Sequence, residues 1–210
     1  RSYDGTAGTR EIVVAGKTLF LAVARPNPDA PEHTLPGSLT GIIKLQRTTE
    51  RDGTGRFVMA VDSESGRTLW QDDTPQVVPL TLAASAERVF FFDGERIVCV
   101  DSQTGKRLWL SDPLPRSKTF PSDYAPTLVV YENVVLFTGG ENMVSHRGAQ
   151  DTMQALSTET GKLLWTAEHP PSGYQSPEDL MVVSGLVWTG AIAQSEDSGA
   201  YTGRDPLTGA

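Results

Sequence analysis

Asp101-Ser102-Gln103-Thr104-Gly105-Lys106-Arg107-Leu108-Trp109 is one of three complete copies of a phrase that recurs through this 210-residue chain. The others are Asp62-Ser63-Glu64-Ser65-Gly66-Arg67-Thr68-Leu69-Trp70 and Ser157-Thr158-Glu159-Thr160-Gly161-Lys162-Leu163-Leu164-Trp165. A fourth copy opens as Asp205-Pro206-Leu207-Thr208-Gly209. Each follows an apolar, β-rich run and ends in a second such run closed by Trp. Asp bonds the backbone N–H groups ahead of it, and Gly takes φ > 0 without a Cβ clash. The phrase therefore reads as strand, tight turn, strand.

The copies begin at residues 62, 101, 157 and 205, so they recur every ~40 to 55 residues, the period of a propeller blade built from strands. The copy ending at Trp109 is the cleanest. Residues 77–83, 88–92, 95–100 and 106–110 read as four strands, A to D, with Asp93-Gly94 as the hairpin turn between B and C. Strands B and C are apolar at every position (Val89, Phe90, Phe91, Phe92; Ile97, Val98, Cys99, Val100). A sheet with one wet face alternates instead, so both faces of this one must be covered, as in blades stacked around an axis. The predicted fold is all-β. It is a β-propeller of four-stranded antiparallel blades, about four in number, spanning approximately 10–70, 76–110, 126–166 and 179–210. No stretch carries a sustained 3.6-residue apolar period, so almost no helix is expected.

Composition sets wider bounds. The net charge of −8 disfavours a nucleic-acid backbone or an anionic membrane surface as partner. No apolar run approaches the ~18 residues that span a bilayer as a helix. The single cysteine, Cys99, excludes an internal disulfide and a Cys-based metal site. It is equivalent to Ala60, Ala155 and Gly203, each two residues before a turn's Asp or Ser. The position calls for a small buried side chain. The chain opens Arg1-Ser2-Tyr3-Asp4, with no initiator Met or signal-peptide pattern, and closes inside a repeat. That predicts a piece of a longer chain.

In an up-and-down blade the A–B and C–D turns share one end. The B–C loops and D–A linkers share the other. All the long segments, 24–55, 111–126, 139–151, 166–179 and 193–199, fall in the second class. Binding chemistry is therefore expected on that loop-rich face. Its candidate residues are Arg116, Lys118, Asp123, Tyr124, Glu141, Asn142, His146, Arg147, His169, Tyr174 and Asp197. His33, His146 and His169 sit in separate loops, the pattern of solvent-exposed histidines rather than of a metal site. The run Glu196-Asp197-Ser198-Gly199 lacks the alternating ligands of a calcium loop. No Gly-x-Ser-x-Gly elbow is present. Trp188, in strand B of the fourth blade, reads as core.

The phrase Ala-x-Asp-x-x-Thr-Gly-x-x-x-Trp resembles the tryptophan-docking motif of the pyrroloquinoline quinone (PQQ) repeat family. It is carried at 61–70, 100–109 and 156–165, with Ser65 for Thr in the first copy and Ser157 for Asp in the third. The resemblance implies that Trp70, Trp109 and Trp165 dock between neighbouring blades of a seven- or eight-bladed ring. An arc of four blades would then leave two open edges and exposed apolar faces, to be covered by the remaining blades of a larger chain or, less readily, by self-association. Catalytic members of the family bind PQQ and Ca²⁺ on the axis and often carry an adjacent Cys pair. That pair is absent here, and no set of Glu, Asn and Asp matches position by position. The expectation is a non-catalytic binding or scaffold module with no cofactor of its own, presenting the loop-rich face to a protein or small ligand. The resemblance further implies a bacterial, extracytoplasmic setting, periplasmic or cell-surface. The alternative is part of a PQQ- and Ca²⁺-dependent quinoprotein dehydrogenase oxidising alcohols or sugars.

Overall fold

The computed structural model describes residues 3–25, 55–73, 76–114, 126–139, 151–169, 180–190 and 201–210. These residues are all β, in fifteen strands and four antiparallel sheets. The first sheet is β1 (Thr9–Ala15), β2 (Thr18–Ala24), β3 (Arg56–Asp62) and β4 (Thr68–Asp72). The second is β5 (Ala83–Ala84), β6 (Arg88–Phe92), β7 (Ile97–Asp101) and β8 (Arg107–Leu110). The third is β9 (Thr127–Tyr131), β10 (Val134–Thr138), β11 (Asp151–Ser157) and β12 (Leu163–His169). The fourth is β13 (Met181–Val183), β14 (Leu186–Gly190) and β15 (Tyr201–Arg204). Every sheet is an up-and-down meander in chain order. The first strands β1, β5, β9 and β13 adjoin one another in turn, so they line the inside of the arc.

The apolar runs do what their composition requires. Val89, Phe90, Phe91, Phe92, Ile97, Cys99 and Val100 are all fully buried. Alternate residues pack in opposite directions. Val89 and Phe91 face the first sheet with Phe20, Val58 and Ala60. Phe90 and Phe92 face the third with Val135, Phe137 and Leu156. A third cluster, with Leu136, Ala155 and Val187, joins the third sheet to the fourth. The bulky residue on each second strand lies opposite the small residue on the third: Phe20 on Ala60, Phe90 on Cys99, Leu136 on Ala155, Trp188 on Gly203. Burial pushes the Cys99 thiol up to about 12, as befits a space-filling and unreactive sulfur.

The two turn classes do share one end of each blade. Ser63 N donates to Lys17 O, Ser102 N to Glu87 O, and Thr158 N to Asn133 O, each tying a C–D turn to the A–B turn beside it.

Three expectations are corrected. The strand over 77–83 shrinks to Ala83–Ala84. Ahead of it the chain crosses the sheet end, with Val78 N bonded to Phe92 O, the Thr81 hydroxyl donating to Val78 O, and Leu80 at φ 62°. The B–C turn of the second blade centres on Gly94 and Glu95, because Asp93 N bonds Arg96 O and Asp93 Oδ1 caps Glu95 N and Arg96 N. Trp188 is only half-buried and lies on the open face of the fourth sheet. Both edge faces expose apolar side chains. On the leading face of the first sheet Leu21, Met59 and Val61 are covered, but Ile12 and Val14, paired with Leu21 and Leu19, are each 63% exposed. On the trailing face, Met181, Val183 and Tyr201 are 47%, 52% and 56% exposed.

Candidate functional site

On the inside of the arc lies a cavity of about 570 Å³. Its walls come from all four blades: Glu11 and Val13 from the first, Leu80 and Leu82 leading into the second, Thr127 from the third, Trp188 and Tyr201 from the fourth. Strand pleating explains the one acid among them. Along β1, Glu11, Val13 and Ala15 share the more sheltered face, while Ile12 and Val14 on the other face are each 63% exposed, and Ile12 also borders the cavity.

Glu11 is held by what it touches. Leu80 N donates to its Oε1 at 2.6 Å and Leu82 N to its Oε2 at 3.1 Å. Arg56 Nη1 stands 3.6 Å from Oε1. Burial raises the Glu11 carboxyl above the ordinary range, and the two amides and the guanidinium oppose that rise. The carboxylate clamps β1 to the crossing segment that carries Leu80. The remaining wall is mostly aliphatic and aromatic, so the cavity suits an apolar or aromatic group.

A calcium ion needs about six to eight oxygen ligands. The described walls of the cavity offer one carboxylate, already engaged by backbone amides. Among the described residues no group of three or more His, Cys, Asp or Glu is placed to hold a metal ion. The described residues therefore do not fit an axial Ca²⁺–quinone site. Among the described residues no helix is long and apolar enough to cross a membrane.

Of the residues expected on the loop-rich face, His169 alone is described. It ends β12 opposite Asp151 and is fully buried, a strand residue and not an exposed loop histidine. Arg116, Lys118, Asp123, Tyr124, Glu141, Asn142, His146, Arg147, Tyr174 and Asp197 lie outside the described residues. Glu11 and the inner cavity were not anticipated. The available clue was the alternation itself, which puts an acid on the same strand face as Val13 and Ala15.

The blade junctions complete the geometry. Trp70 Nε1 donates to Ser102 O at 2.8 Å, Trp109 Nε1 to Thr158 O at 2.9 Å and Trp165 Nε1 to Pro206 O at 2.9 Å. Each indole covers the glycine three residues beyond its acceptor. A β-carbon built on Gly105, Gly161 or Gly209 would fall 2.7, 2.5 or 2.8 Å from the ring. A β-bulge precedes every one of these Trp residues. Ala60 pairs Trp70 while Val61 pairs Thr68, and the same slip recurs at Cys99/Val100 and Ala155/Leu156. The extra residue is Leu69, Leu108 or Leu164, and the bulge re-aims the following Trp toward the next blade.

A repeat family model described as "Outer membrane protein assembly factor BamB", of the PQQ type, matches residues 54–210. The chain belongs to this PQQ-repeat family. Solved structures agree on the fold. The computationally designed Ika4 protein aligns at TM-score 0.56 and 17% identity, over 96% of this chain and 95% of its own. The designed Ika8 protein aligns at TM-score 0.56 and 16% identity, over 96% of this chain and 47% of its own. Quinohemoprotein alcohol dehydrogenase ADHIIG from Pseudomonas putida HK5 aligns at TM-score 0.57 and 16% identity, over 94% of this chain and 32% of its own. This chain thus spans about half of Ika8 and a third of the dehydrogenase. Comparison with the curated proteins gives no match.

Proposed function

We propose that this PQQ-repeat propeller segment is a non-catalytic binding or scaffold module, of the kind its family description names in outer-membrane protein assembly. The observation that carries the reading is the state of Glu11. The acid on the cavity wall spends both oxygens on the Leu80 and Leu82 amides. That makes it a fastener of the fold and leaves it poorly placed as a base or metal ligand. The repeated chemistry at Trp70, Trp109 and Trp165 likewise joins blade to blade. Binding falls to surfaces where the repeats differ, the loop-rich face and the inner cavity, and the partner is a protein or a small apolar ligand. The family description fits an extracytoplasmic site of action.

The competing reading is a domain of a quinoprotein dehydrogenase. Titration of the full protein with PQQ and Ca²⁺, followed by absorbance and by dye reduction with alcohols and sugars, separates the two. The scaffold reading expects neither stoichiometric quinone binding nor turnover. Tight one-to-one binding with substrate-dependent dye reduction would sink it.

A further inference from the structure

Blade 1 carries the same turn as the others, and its slot is also filled. Tyr3 Oη donates to Ser63 O at 2.8 Å. Ser63 directly follows Asp62, as Ser102 follows Asp101, Thr158 follows Ser157 and Pro206 follows Asp205. The Tyr3 ring lies against Gly66, and a β-carbon there would overlap it. Gly66 has φ 76°, beside 69°, 69° and 75° at Gly105, Gly161 and Gly209. Two independent features of the Trp junctions are therefore reproduced: the same carbonyl acceptor and the same side-chain-free platform. The chemistry is equivalent, since Tyr and Trp each join a broad apolar ring to one polar hydrogen.

The segment around Tyr3 is fixed to the blade it serves. The Thr6 hydroxyl donates to Tyr3 O at 2.7 Å, Thr9 N donates to Thr6 O at 3.1 Å, and Ala24 N donates to Gly8 O at 3.0 Å. The ring also packs on the leading-face cluster of Leu21, Val23, Phe57, Met59 and Val61.

We propose that the slot formed by Ser63 and Gly66 is an aromatic-binding site and that Tyr3 is its ligand in cis. The residues before β1 thus act as the docking element of an outer strand, with Tyr3 in the role of Trp70, Trp109 and Trp165. The slot's chemistry selects a flat aromatic group with one hydrogen-bond donor at its rim.

The test uses the full chain with Tyr3→Phe, Tyr3→Trp and Tyr3→Ala, read by thermal unfolding and amide hydrogen exchange. Loss of one hydrogen bond is worth about 1 kcal/mol, and that shifts Tm by about 2–4 °C in a chain of this size. Tyr3→Phe is expected to lower Tm by that amount, and Tyr3→Trp to hold it. Tyr3→Ala should speed exchange in β3 and in the Ser63–Gly66 turn while β10 to β12 stay protected. In the Tyr3→Ala chain, 4-methylphenol at millimolar concentration should shift the Ser63 to Gly66 amide resonances, with no such shift in the native chain. The proposal is overturned if Tyr3→Phe and Tyr3→Ala match the native chain in Tm and β3 exchange. It is equally overturned if 4-methylphenol leaves the emptied slot unchanged.

Discussion

Trp70 donates its indole N–H to the carbonyl of Ser102 across the first blade junction, at 2.8 Å, while its ring covers Gly105. Trp70 is 9% exposed, whereas Trp109 and Trp165 are half-buried. Phe20 stacks beside it at 6.1 Å between ring centroids. Emptying a buried Trp site costs about 3–5 kcal/mol. Trp70→Ala is therefore expected to lose stability in that range, and Trp165→Ala less. Trp70→Phe keeps most of the apolar contact and leaves Ser102 O short of a donor, at a cost of about 1–3 kcal/mol. Urea unfolding of the three variants orders them. If Trp165→Ala proves the most damaging, burial is not what sets these junctions.

Gly161 and Gly16 separate two causes that usually travel together. Both have positive φ, 69° and 60°. A β-carbon on Gly161 would fall 2.5 Å from Trp109, but one on Gly16 would meet nothing within 4 Å. Left-handed backbone costs an ordinary L residue about 1–2 kcal/mol. Overpacking against a fixed ring adds about 1–3 kcal/mol. Gly161→Ala should thus be clearly more destabilising than Gly16→Ala, and a combined Gly161→Ala, Trp109→Ala chain should lose less than the sum. Strict additivity in that double-mutant cycle would refute the contact.

The blade grammar was readable because it rests on local rules: a turn with Asp and Gly, apolar strands, a small residue opposite a large one. The Arg88–Phe92 strand appears where the pattern puts it. What escaped depends on contacts distant in sequence. Tyr3 meets Ser63 across 60 residues with no Gly-x-x-x-Trp frame around it. Glu11 meets Leu80 across 69 residues. The bulges at Leu69, Leu108 and Leu164 were hidden because a one-residue slip leaves composition unchanged. Trp188 read as core since a large aromatic on a second strand normally is, yet no described blade follows its face. Ten of the eleven expected binding residues fall outside the described segments.

The third turn carries a natural substitution that makes an acid test possible. Asp101 Oδ1 accepts from Thr104 Oγ1 at 2.7 Å, Thr104 N at 2.8 Å and Gln103 N at 3.1 Å. Ser157 Oγ accepts only from Glu159 N at 3.2 Å and Thr160 N at 3.3 Å. The Thr104 hydroxyl and amide hold the Asp101 carboxyl below the ordinary range, Ser65 does the same for Asp62, and the Thr208 and Leu207 amides lower Asp205. A depressed folded pKa contributes stability above the unfolded value of about 3.9 and loses it as pH falls through the folded value. Ser157→Asp should add a small gain near neutrality, discounted by solvent screening, and that gain should shrink as pH falls through the folded value. Unfolding curves of the two chains from pH 7 downward decide it; a gain that does not shrink with falling pH would show that charge is not its source.

Glu11 should respond to pH with the opposite sign. Its folded pKa is raised, first by burial, against the pull of Leu80 N, Leu82 N and Arg56. A raised folded pKa contributes stability that is complete below the unfolded value of about 4.3 and is lost as pH rises through the folded one. Replacing Glu11 with Gln removes the titration but turns an NH₂ toward Leu80 N or Leu82 N, leaving one amide without its acceptor, for about 1–3 kcal/mol. Glu11→Gln should therefore be less stable than the native chain at pH 7, and the native-minus-variant difference should grow as pH falls from 7 toward 4. Carbon-detected NMR titration of the Glu11 carboxyl gives the direct check. A midpoint below the ordinary glutamate value would mean that the amides and Arg56 outweigh burial, and the pH trend would then reverse.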